Sequence, residues 1–268
     1  MYSFAYRRAT SIADASDFIA KNSDAKLLAG GQSLVATMKL RLSRPSDLVD
    51  LGGIQGLAAI TTRAASGKAL TIGAMARHAD VAASAKVLEA IPALAALAGS
   101  IGDRQVRNMG TLGGSLAHND PAADYPAAVL ALGATVTTNL RKIAADDFFK
   151  GMYETALGQG EIITSVSFPC PKRAAYMKFR NQASGYAIVG VFVADSGSSV
   201  RVAVTGAAAG VFRIAEMEQA LASRFAADSI ASILVPEKGL NSDLHAKADY
   251  RAHLITVMAR RAVDAALA

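Results

Sequence analysis

The sequence predicts an α+β fold with two domains, and three observations support this. Short strands alternate with helices through most of the chain. The segment Pro169-Cys170-Pro171 then interrupts that order, as prolines at a domain boundary do. Beyond it, three closely spaced strands precede two amphipathic helices, which is typical of an antiparallel sheet covered by helices. We therefore expect one domain over residues 1–171 and a smaller α+β domain over residues 172–268.

Composition limits the class of protein. The chain has 268 residues, of which 52% are hydrophobic and 19% charged, so it can bury a core and is not disordered. Its apolar runs are shorter than the roughly 20 residues of a membrane span, and no signal peptide is evident. The net charge of +6 is scattered without interleaved aromatic residues, which argues against a nucleic-acid surface.

A single cysteine, Cys170, excludes an internal disulfide. It also excludes a cysteine-ligated iron–sulfur cluster or a cysteine-rich zinc site within this chain. The two flanking prolines favour an inert thiol. From these features we predict a cytoplasmic location.

The first unit of the large domain is predicted to cover about residues 1–52, and the second about residues 53–171. In the first unit, Ser11 and Asp14 form a capping box that opens a helix. A strand then leads into Gly30-Gly31, a helix follows until Pro45, and a second strand ends at the Gly52-Gly53 junction. The predicted bounds are a strand at 25–28, a helix at 33–42 and a strand at 47–51.

The second unit mixes strands and helices. Ser66-Gly67 is predicted to turn a hairpin, and Pro121 to start a helix. Residues 103–108 are expected to form a polar turn and residues 146–149 a short amphipathic turn. The predicted strands are 57–61, 69–72, 134–138 and 161–168, and the predicted helices are 79–84, 87–98 and 122–132.

The smaller domain has the clearest pattern. Val200, Val202 and Val204 alternate with other residues as in a half-buried strand, and the closing segment has apolar residues at helical spacing. The predicted strands are 175–180, 187–194 and 199–205, and the predicted helices are 216–225 and 250–267.

Two glycine pairs are the candidate binding elements. Gly30-Gly31 lies between a strand and a helix, and Gly113-Gly114 forms a second turn of similar character. Without a Cβ, such a turn can point its N–H groups at a phosphate, aided by the positive end of a helix. The alternative is a plain glycine turn without a ligand. Neither pair fits the Rossmann or P-loop motif, so these two phosphate-binding folds are disfavoured.

Other polar residues give weaker signals. Asp124, at a predicted helix start, could accept hydrogen bonds from sugar hydroxyls, or could be a helix-terminal acid with no ligand. His78 and His118 lack the spacing of a metal site or a catalytic triad, so we expect both to be structural or exposed. His118 and Asn119 are interpreted as spacers. No residue is assigned a catalytic or metal-binding role.

Seven segments along the chain form a recognisable series: Ala29-Gly-Gly-Gln-Ser-Leu34, residues 72–78, 101–115, 120–126, 148–155, 160–163 and 178–184. In this order they resemble the FAD-binding medium subunit of molybdenum hydroxylases, the carbon monoxide dehydrogenase and xanthine dehydrogenase family. The resemblance covers essentially the whole chain. It implies a two-lobed FAD-binding domain of the vanillyl-alcohol-oxidase type, followed by a smaller α+β domain with an antiparallel sheet and helices.

The resemblance also implies a noncovalent FAD site. Residues 28–35 would wrap the pyrophosphate, and residues 111–115 would form a second phosphate clamp. Asp124 would bind a hydroxyl of the sugar or ribityl chain, while Tyr186 would lie near the isoalloxazine. The implied cofactor-binding residues are Leu28, Ala29, Gly30, Gly31, Gln32, Ser33, Leu34, Val35, Ile101, Thr111, Gly113, Gly114, Ser115, Asp124, Ile163, Lys178 and Tyr186.

The implied function is electron transfer within an oxidoreductase complex. A molybdenum-cofactor large subunit and a small subunit with [2Fe-2S] clusters would supply electrons to this FAD, in a dimer of heterotrimers. An external acceptor such as a quinone, NAD or oxygen would then remove them. Two alternatives stay open: a stand-alone FAD-dependent oxidase or dehydrogenase, and a flavin-free structural subunit. The substrate of the complex and its acceptor do not follow from the sequence.

Overall fold

The structure is a computed structural model that describes residues 1–63 and 69–268. Its first lobe is a parallel three-stranded sheet in the order β1-β3-β2, with two helices. Ser11 caps the first helix by accepting a hydrogen bond from the Asp14 N–H, as predicted, whereas the Asp14 carboxylate accepts from the Thr10 N–H and does not complete the predicted capping box. The elements are β1 (Ala5–Arg8), α1 (Ile12–Lys21), β2 (Lys26–Leu28), α2 (Leu34–Lys39) and β3 (Asp47–Asp50).

The second lobe is a five-stranded antiparallel sheet in the order β4-β5-β10-β6-β7, covered by helices. A separate two-stranded hairpin, β8–β9, follows α9. The elements are β4 (Ile60–Arg63), β5 (Ala69–Gly73), α3 (His78–Ala83), α4 (Ala85–Ala90), α5 (Pro92–Gly99), α6 (Arg104–Met109), α7 (Leu112–His118), α8 (Tyr125–Ala131), β6 (Thr135–Thr138), β7 (Lys142–Ala144), α9 (Ala145–Phe148), β8 (Phe149–Gly151), β9 (Glu154–Thr155) and β10 (Ile163–Pro169).

The C-terminal part is an antiparallel sheet in the order β11-β12-β13-β14, covered by two helices and a short 3₁₀ turn at Ala227–Ile230. No helix in the described part of the chain has the length and apolar character that crossing a membrane needs. The elements are β11 (Arg173–Arg180), β12 (Ala187–Asp195), β13 (Val200–Thr205), β14 (Phe212–Arg213), α10 (Ala215–Ser223) and α11 (Ala248–Leu267).

The C-terminal sheet is buried on both faces. Val189, Val191 and Val193 of β12 share a core with α10 and α11. Phe192 and Ala194, on the opposite face of the same strand, belong to the core of the second lobe. Because side chains alternate along a strand, one strand joins two cores. The fold class is therefore the predicted one, α+β, with a first domain of two lobes followed by a smaller domain that has an antiparallel sheet and helices.

Several local predictions were wrong. Residues 103–108 are not a polar turn, because Asp103 accepts the Val106 N–H at 2.8 Å and caps helix α6. Gly113 and Gly114 lie in the first turn of α7 instead of a loop, capped by Thr111. Helix α8 has Pro126 in its first turn, so Pro121 precedes it as part of a loop. Strand β1 and the β8–β9 hairpin were not predicted, and the Ser66-Gly67 hairpin turn lies outside the described residues.

Candidate cofactor site

A cavity of about 550 Å³ lies between the two lobes and is closed on one side by the loop before β12. Fourteen of the seventeen residues predicted to hold a cofactor line it. Leu28, Val35 and Lys178 do not. The residues in its wall are Ala29, Gly30, Gly31, Gln32, Ser33, Leu34, Ile101, Thr111, Gly113, Gly114, Ser115, Asp124, Ile163 and Tyr186.

The two glycine segments meet in the wall of this cavity. A Cβ on Gly30 would lie 2.1 Å from the Met109 carbonyl oxygen and 2.7 Å from Gly110 Cα, so the backbones touch. Gly31 has φ +72°, a conformation that L side chains rarely adopt, and Leu28 and Val35 pack around it. Backbone contact here requires glycine at position 30, so the first glycine segment packs directly against the start of the second one.

The first glycine segment has backbone N–H groups that are available to a ligand. The N–H groups of residues 30–33 make no hydrogen bond within the described part of the chain. They lie just before helix α2, where the partial positive charge of the helix end adds to theirs. An anionic group in the cavity would satisfy several of these donors at once.

The second segment has a different role from the expected one. The Gly113 N–H donates to the Ala74 carbonyl at 2.8 Å, and the Gly114 N–H donates to Thr111 Oγ1 at 3.2 Å. A Cβ on Gly113 would lie 2.6 Å from the Ala74 Cβ. These glycines therefore allow close packing of α7, and their N–H groups are already used within the fold.

Asp124 lies in the cavity wall with its carboxylate held from behind. Tyr176 donates to Oδ1 at 2.5 Å, and the Lys178 ammonium lies 3.0 Å from the same oxygen. Burial raises the pKa of this carboxyl, and Lys178 and Tyr176 act in the opposite direction. Lys178 also donates to the Ser100 and Gly185 carbonyls, each at 3.0 Å. It thus joins three wall segments from one layer behind the cavity.

Glu161 is a wall residue that the sequence analysis did not assign. Arg141 donates to both of its oxygens, at 2.9 and 3.0 Å, and Thr138 and the Gly158 N–H donate as well. These bonds, the one with Arg141 foremost, lower the pKa of Glu161 to about 2. Its neighbour Ile162 is buried in the core of the first lobe. The segment therefore holds the two lobes together beside the cavity, a role that only the long-range contacts reveal.

Two histidines also line the cavity. His78 is buried, as a structural residue would be. Burial is the main cause that lowers its pKa to about 4, and the positive charge of Arg107 is the second. His78 is therefore neutral at pH 7. Its ring centre lies 5.3 Å from that of Tyr125, and His78 Nδ1 and the Tyr125 hydroxyl are both buried with no hydrogen-bond partner among the described residues. His118, interpreted from sequence as a spacer, is a wall residue as well.

The cavity fits a phosphate-bearing cofactor such as FAD. It lies between the two lobes, the N–H groups of residues 30–33 are available as donors at one glycine segment, and glycine is required where the two backbones meet. Its remaining wall contains apolar side chains, including Leu51, Met75 and Val106, that suit aromatic rings. Within the described residues, no group of three or more His, Cys, Asp and Glu side chains could hold a metal ion.

Fold and cavity together define a flavoprotein, and comparison with known proteins assigns it to a family. Residues 2–171 match the FAD binding domain in molybdopterin dehydrogenase, and residues 174–266 match the CO dehydrogenase flavoprotein C-terminal domain. The chain thus belongs to the FAD-binding medium subunits of molybdenum hydroxylases, a family of oxidoreductase subunits, and FAD is its cofactor.

Full-length relatives support this assignment. The chain is 37% identical to the nicotine 6-hydroxylase medium subunit of Paenarthrobacter nicotinovorans, over 96% of this chain and 95% of that one. It is 34% identical to the carbon monoxide dehydrogenase medium chain of Hydrogenophaga pseudoflava, over 99% and 97%. Among solved structures, quinoline 2-oxidoreductase from Pseudomonas putida 86 superposes with a TM-score of 0.87 at 30% identity, over 99% of this chain and 97% of that one. The first two of these relatives are named as the medium subunit or medium chain of their enzymes.

Proposed function

We propose that this chain is the electron-transfer subunit of a molybdenum hydroxylase complex. Its FAD takes electrons from an iron–sulfur small subunit, which receives them from a molybdenum-cofactor large subunit, and an external acceptor removes them. The complex is a dimer of heterotrimers in the cytoplasm. The single cysteine supports the division of labour, because this chain has too few thiolates for such clusters.

The observation that carries the proposal is the meeting of two glycine segments at one cavity. The free N–H groups of residues 30–33 would hold the pyrophosphate, while Thr111 and Ser115 would offer hydroxyl groups from the facing segment. Asp124 would accept from a sugar or ribityl hydroxyl. Lys178 would act through Asp124, since its ammonium is already surrounded by that carboxylate and two carbonyls.

The protein's contribution is binding and positioning, and FAD when bound supplies the electron-accepting chemistry. The described wall of the cavity has His78 as a neutral buried imidazole and Glu161 as an ion-paired carboxylate. Glu161 is committed to its ion pair with Arg141, so it does not serve as a base for a stand-alone oxidase.

An absorption spectrum and a thermal melt test the proposal. The purified chain should be yellow, and added FAD should raise its Tm because the cofactor binds only the folded state. Gly31→Ala should weaken FAD retention, since it strains a positive-φ turn of the wall and crowds Val35 behind it. Gly56→Ala is the matched control: Gly56 also has positive φ, but it has open space around it and lies outside the cavity wall.

A colourless chain whose Tm does not respond to FAD would contradict the proposal and favour a flavin-free structural subunit. Reduction of the bound flavin by a small substrate, with no other subunit present, would favour a stand-alone oxidase or dehydrogenase. Equal loss of FAD in both glycine variants would show that backbone strain alone, and not the cavity wall, controls retention.

A further inference from the structure

An exposed surface that is both aromatic and basic lies on the first lobe, outside the wall of the cofactor cavity. We call it the β1 surface, and it consists of residues 1–8 and 39–44. Every residue of the first segment is exposed, so neither face of strand β1 is covered by the described part of the chain. The large apolar side chains on this surface, with exposed fractions from 38% to 77%, are Met1, Tyr2, Phe4, Tyr6, Leu40 and Leu42.

Strand β1 is an edge strand with unused backbone groups. It lies at one end of the sheet β1-β3-β2 and pairs in parallel with β3. The Ala5 and Ala9 N–H groups donate towards β3, to the Ser46 and Asp50 carbonyls. Because the direction of the N–H group alternates along a parallel pair, those of Tyr6 and of Arg8 point away from the sheet. An edge of this kind can accept a strand from another chain.

The aromatic side chains extend from this edge to the end of helix α2. The Tyr6 hydroxyl donates to Asp50 of β3 at 2.6 Å, which fixes its ring beside the sheet. The Tyr2 ring lies below two guanidinium groups, with the Cζ atoms of Arg41 and Arg44 at 5.7 and 5.2 Å from the ring centre. Exposed aromatic residues that lie together in this way mark interaction surfaces.

Helix α2 ends in a Schellman motif in which an arginine takes the position usual for glycine. The Arg41 N–H donates to the Met38 carbonyl at 3.1 Å, and the Leu42 N–H donates to the Thr37 carbonyl at 2.9 Å. Arg41 has φ +58°, which strains any residue with a Cβ. An exposed contact with the Tyr2 ring offsets less than this strain costs. Stability of the fold therefore does not explain the arginine.

The charge of the β1 surface indicates the kind of partner that it fits. Four of its basic side chains form no ion pair within the described part of the chain, whereas Arg7 pairs with Asp14. A second copy of this chain would bring these like charges against each other across a two-fold axis. A surface with carboxylates would neutralise them. The four residues are Arg8, Lys39, Arg41 and Arg44.

We propose that the β1 surface binds another subunit of the complex, which adds an acidic extended segment to the free edge of β1. Carboxylates of that segment pair with Arg41 and Arg44, its backbone carbonyls accept from the Tyr6 and Arg8 N–H groups, and its apolar side chains cover the exposed aromatic rings. This inference rests on the proposed function, because it requires a heteromeric complex. It is independent of the cofactor, since the surface lies outside the cavity wall.

Hydrogen exchange tests the strand pairing. The full chain is measured alone and after coexpression with the large and small subunits, each separately and both together. Amides of residues 4–8 should exchange at least about tenfold more slowly in the complex, as newly paired edge amides do. The exposed turn at residues 196–199 is the reference and should exchange equally in both states.

Three results of this measurement would overturn the inference. One is a complex in which residues 4–8 exchange as fast as in the free chain. Another is equal slowing of the reference turn, which would show a general effect of assembly. The third is protection of residues 4–8 in the isolated chain together with a dimeric mass, which would assign the surface to a second copy.

Arg41→Gly separates binding from folding. It should weaken assembly about tenfold, because a charge that pairs across the interface is lost, and should raise the Tm, because glycine suits the left-handed position. Arg41→Lys keeps the charge and should keep most of the affinity. The control is Arg261→Ala, since Arg261 is exposed on α11 in the other domain. FAD retention should be the same in all three variants.

Mass photometry of the coexpressed complexes against dilution measures assembly. Unchanged assembly in Arg41→Gly, or an equal loss in Arg261→Ala, would overturn the role of the β1 surface. A colourless chain that still assembles through residues 4–8 would contradict the electron-transfer function and leave this inference supported. A yellow chain that assembles with neither subunit would overturn this inference and the heteromeric complex, but not the FAD site.

Discussion

At the scale of single residues, the hydrogen bond from Tyr176 to Asp124 depends on a glycine at position 190. A Cβ on Gly190 would lie 2.2 Å from the Tyr176 hydroxyl, the group that donates to Asp124. Gly190 has no positive φ that would require glycine. It is therefore the space for the Tyr176 ring, and not backbone conformation, that selects glycine on this strand.

We predict that Gly190→Ala destabilises the fold by about 1–3 kcal/mol, the usual cost of overpacking a well-filled site. In a Tyr176→Phe background the same substitution should cost less, because the displaced hydroxyl is gone. Denaturant unfolding of the two single variants and the double variant measures this coupling. Additive effects would show that Gly190 is selected for another reason, such as its contact with Thr205.

Single residues of the site differ in how far the sequence alone predicts them. The glycine pair at 30–31 and Asp124 were predictable because each carries a local signal of turn or helix start. Tyr176 carries none: it pairs with an aspartate 52 positions away through the packing of two domains. Lys178 entered only through the family resemblance, and its place behind Asp124 required the fold.

At the scale of elements, the segment before β10 links the lobes. Asn139 accepts the Ile162 N–H at 2.7 Å and donates to Ser16 of helix α1 at 2.9 Å, while Ser16 donates to the Gly160 carbonyl at 2.7 Å. Together with the Glu161–Arg141 pair, these bonds fix the spacing of the two cavity walls. FAD affinity should therefore depend on this link, although all of its hydrogen bonds join protein groups to each other.

We predict that Glu161→Gln destabilises the fold at neutral pH by about 1.5–3 kcal/mol, the value of hydrogen bonds to a charged group. The folded-state pKa of about 2 lies below the ordinary 4.5, so the carboxylate stabilises the wild type above pH 4.5. That stabilisation is lost as the pH falls from 4.5 towards 2. Stability measured by urea unfolding against pH should therefore converge for wild type and variant over this range.

The control is Glu154→Gln, because Glu154 is exposed and belongs to the β8–β9 hairpin instead of the lobe junction. It should leave the pH dependence of stability unchanged. A constant gap between wild type and Glu161→Gln down to pH 2 would contradict the assignment of the acid-sensitive contribution to Glu161.

The predicted bounds of helices and turns were wrong where composition favoured one structure and capping or packing favoured another. Residues 103–108 are polar except for Val106, yet the Asp103 cap and the packing of the segment beside α3 make residues 104–109 helical. The glycines at 113–114 read as a loop because glycine is a poor helix former, but close packing on Ala74 overrides that preference. In the C-terminal sheet, runs rich in β-branched and aromatic residues left no such competition, and its three main strands were predicted correctly.

At the scale of the whole molecule, the C-terminal sheet completes the core that supports the cavity. Helices α5 and α8 of the second lobe pack on β11, β12 and β13, and Asp124 precedes α8 directly. The Thr205 hydroxyl donates to the Pro121 and Ala123 carbonyls at 3.1 and 2.7 Å, and so holds the loop before Asp124. Removing the C-terminal sheet would therefore expose apolar surface and release a wall of the FAD site.

This coupling predicts different effects for two neighbouring positions of β12. Phe192→Ala opens the core shared with the second lobe, and Val191→Ala opens the core shared with α10 and α11. Both should lower stability, by about 3–5 kcal/mol for phenylalanine and less for valine. Only Phe192→Ala should also weaken FAD binding beyond its effect on folding, because Phe192 packs near Tyr176 behind Asp124, with ring centres 6.1 Å apart. Fluorescence titration of FAD at a temperature where both variants are folded measures this, and equal affinities would show that the sheet supports the fold without tuning the site.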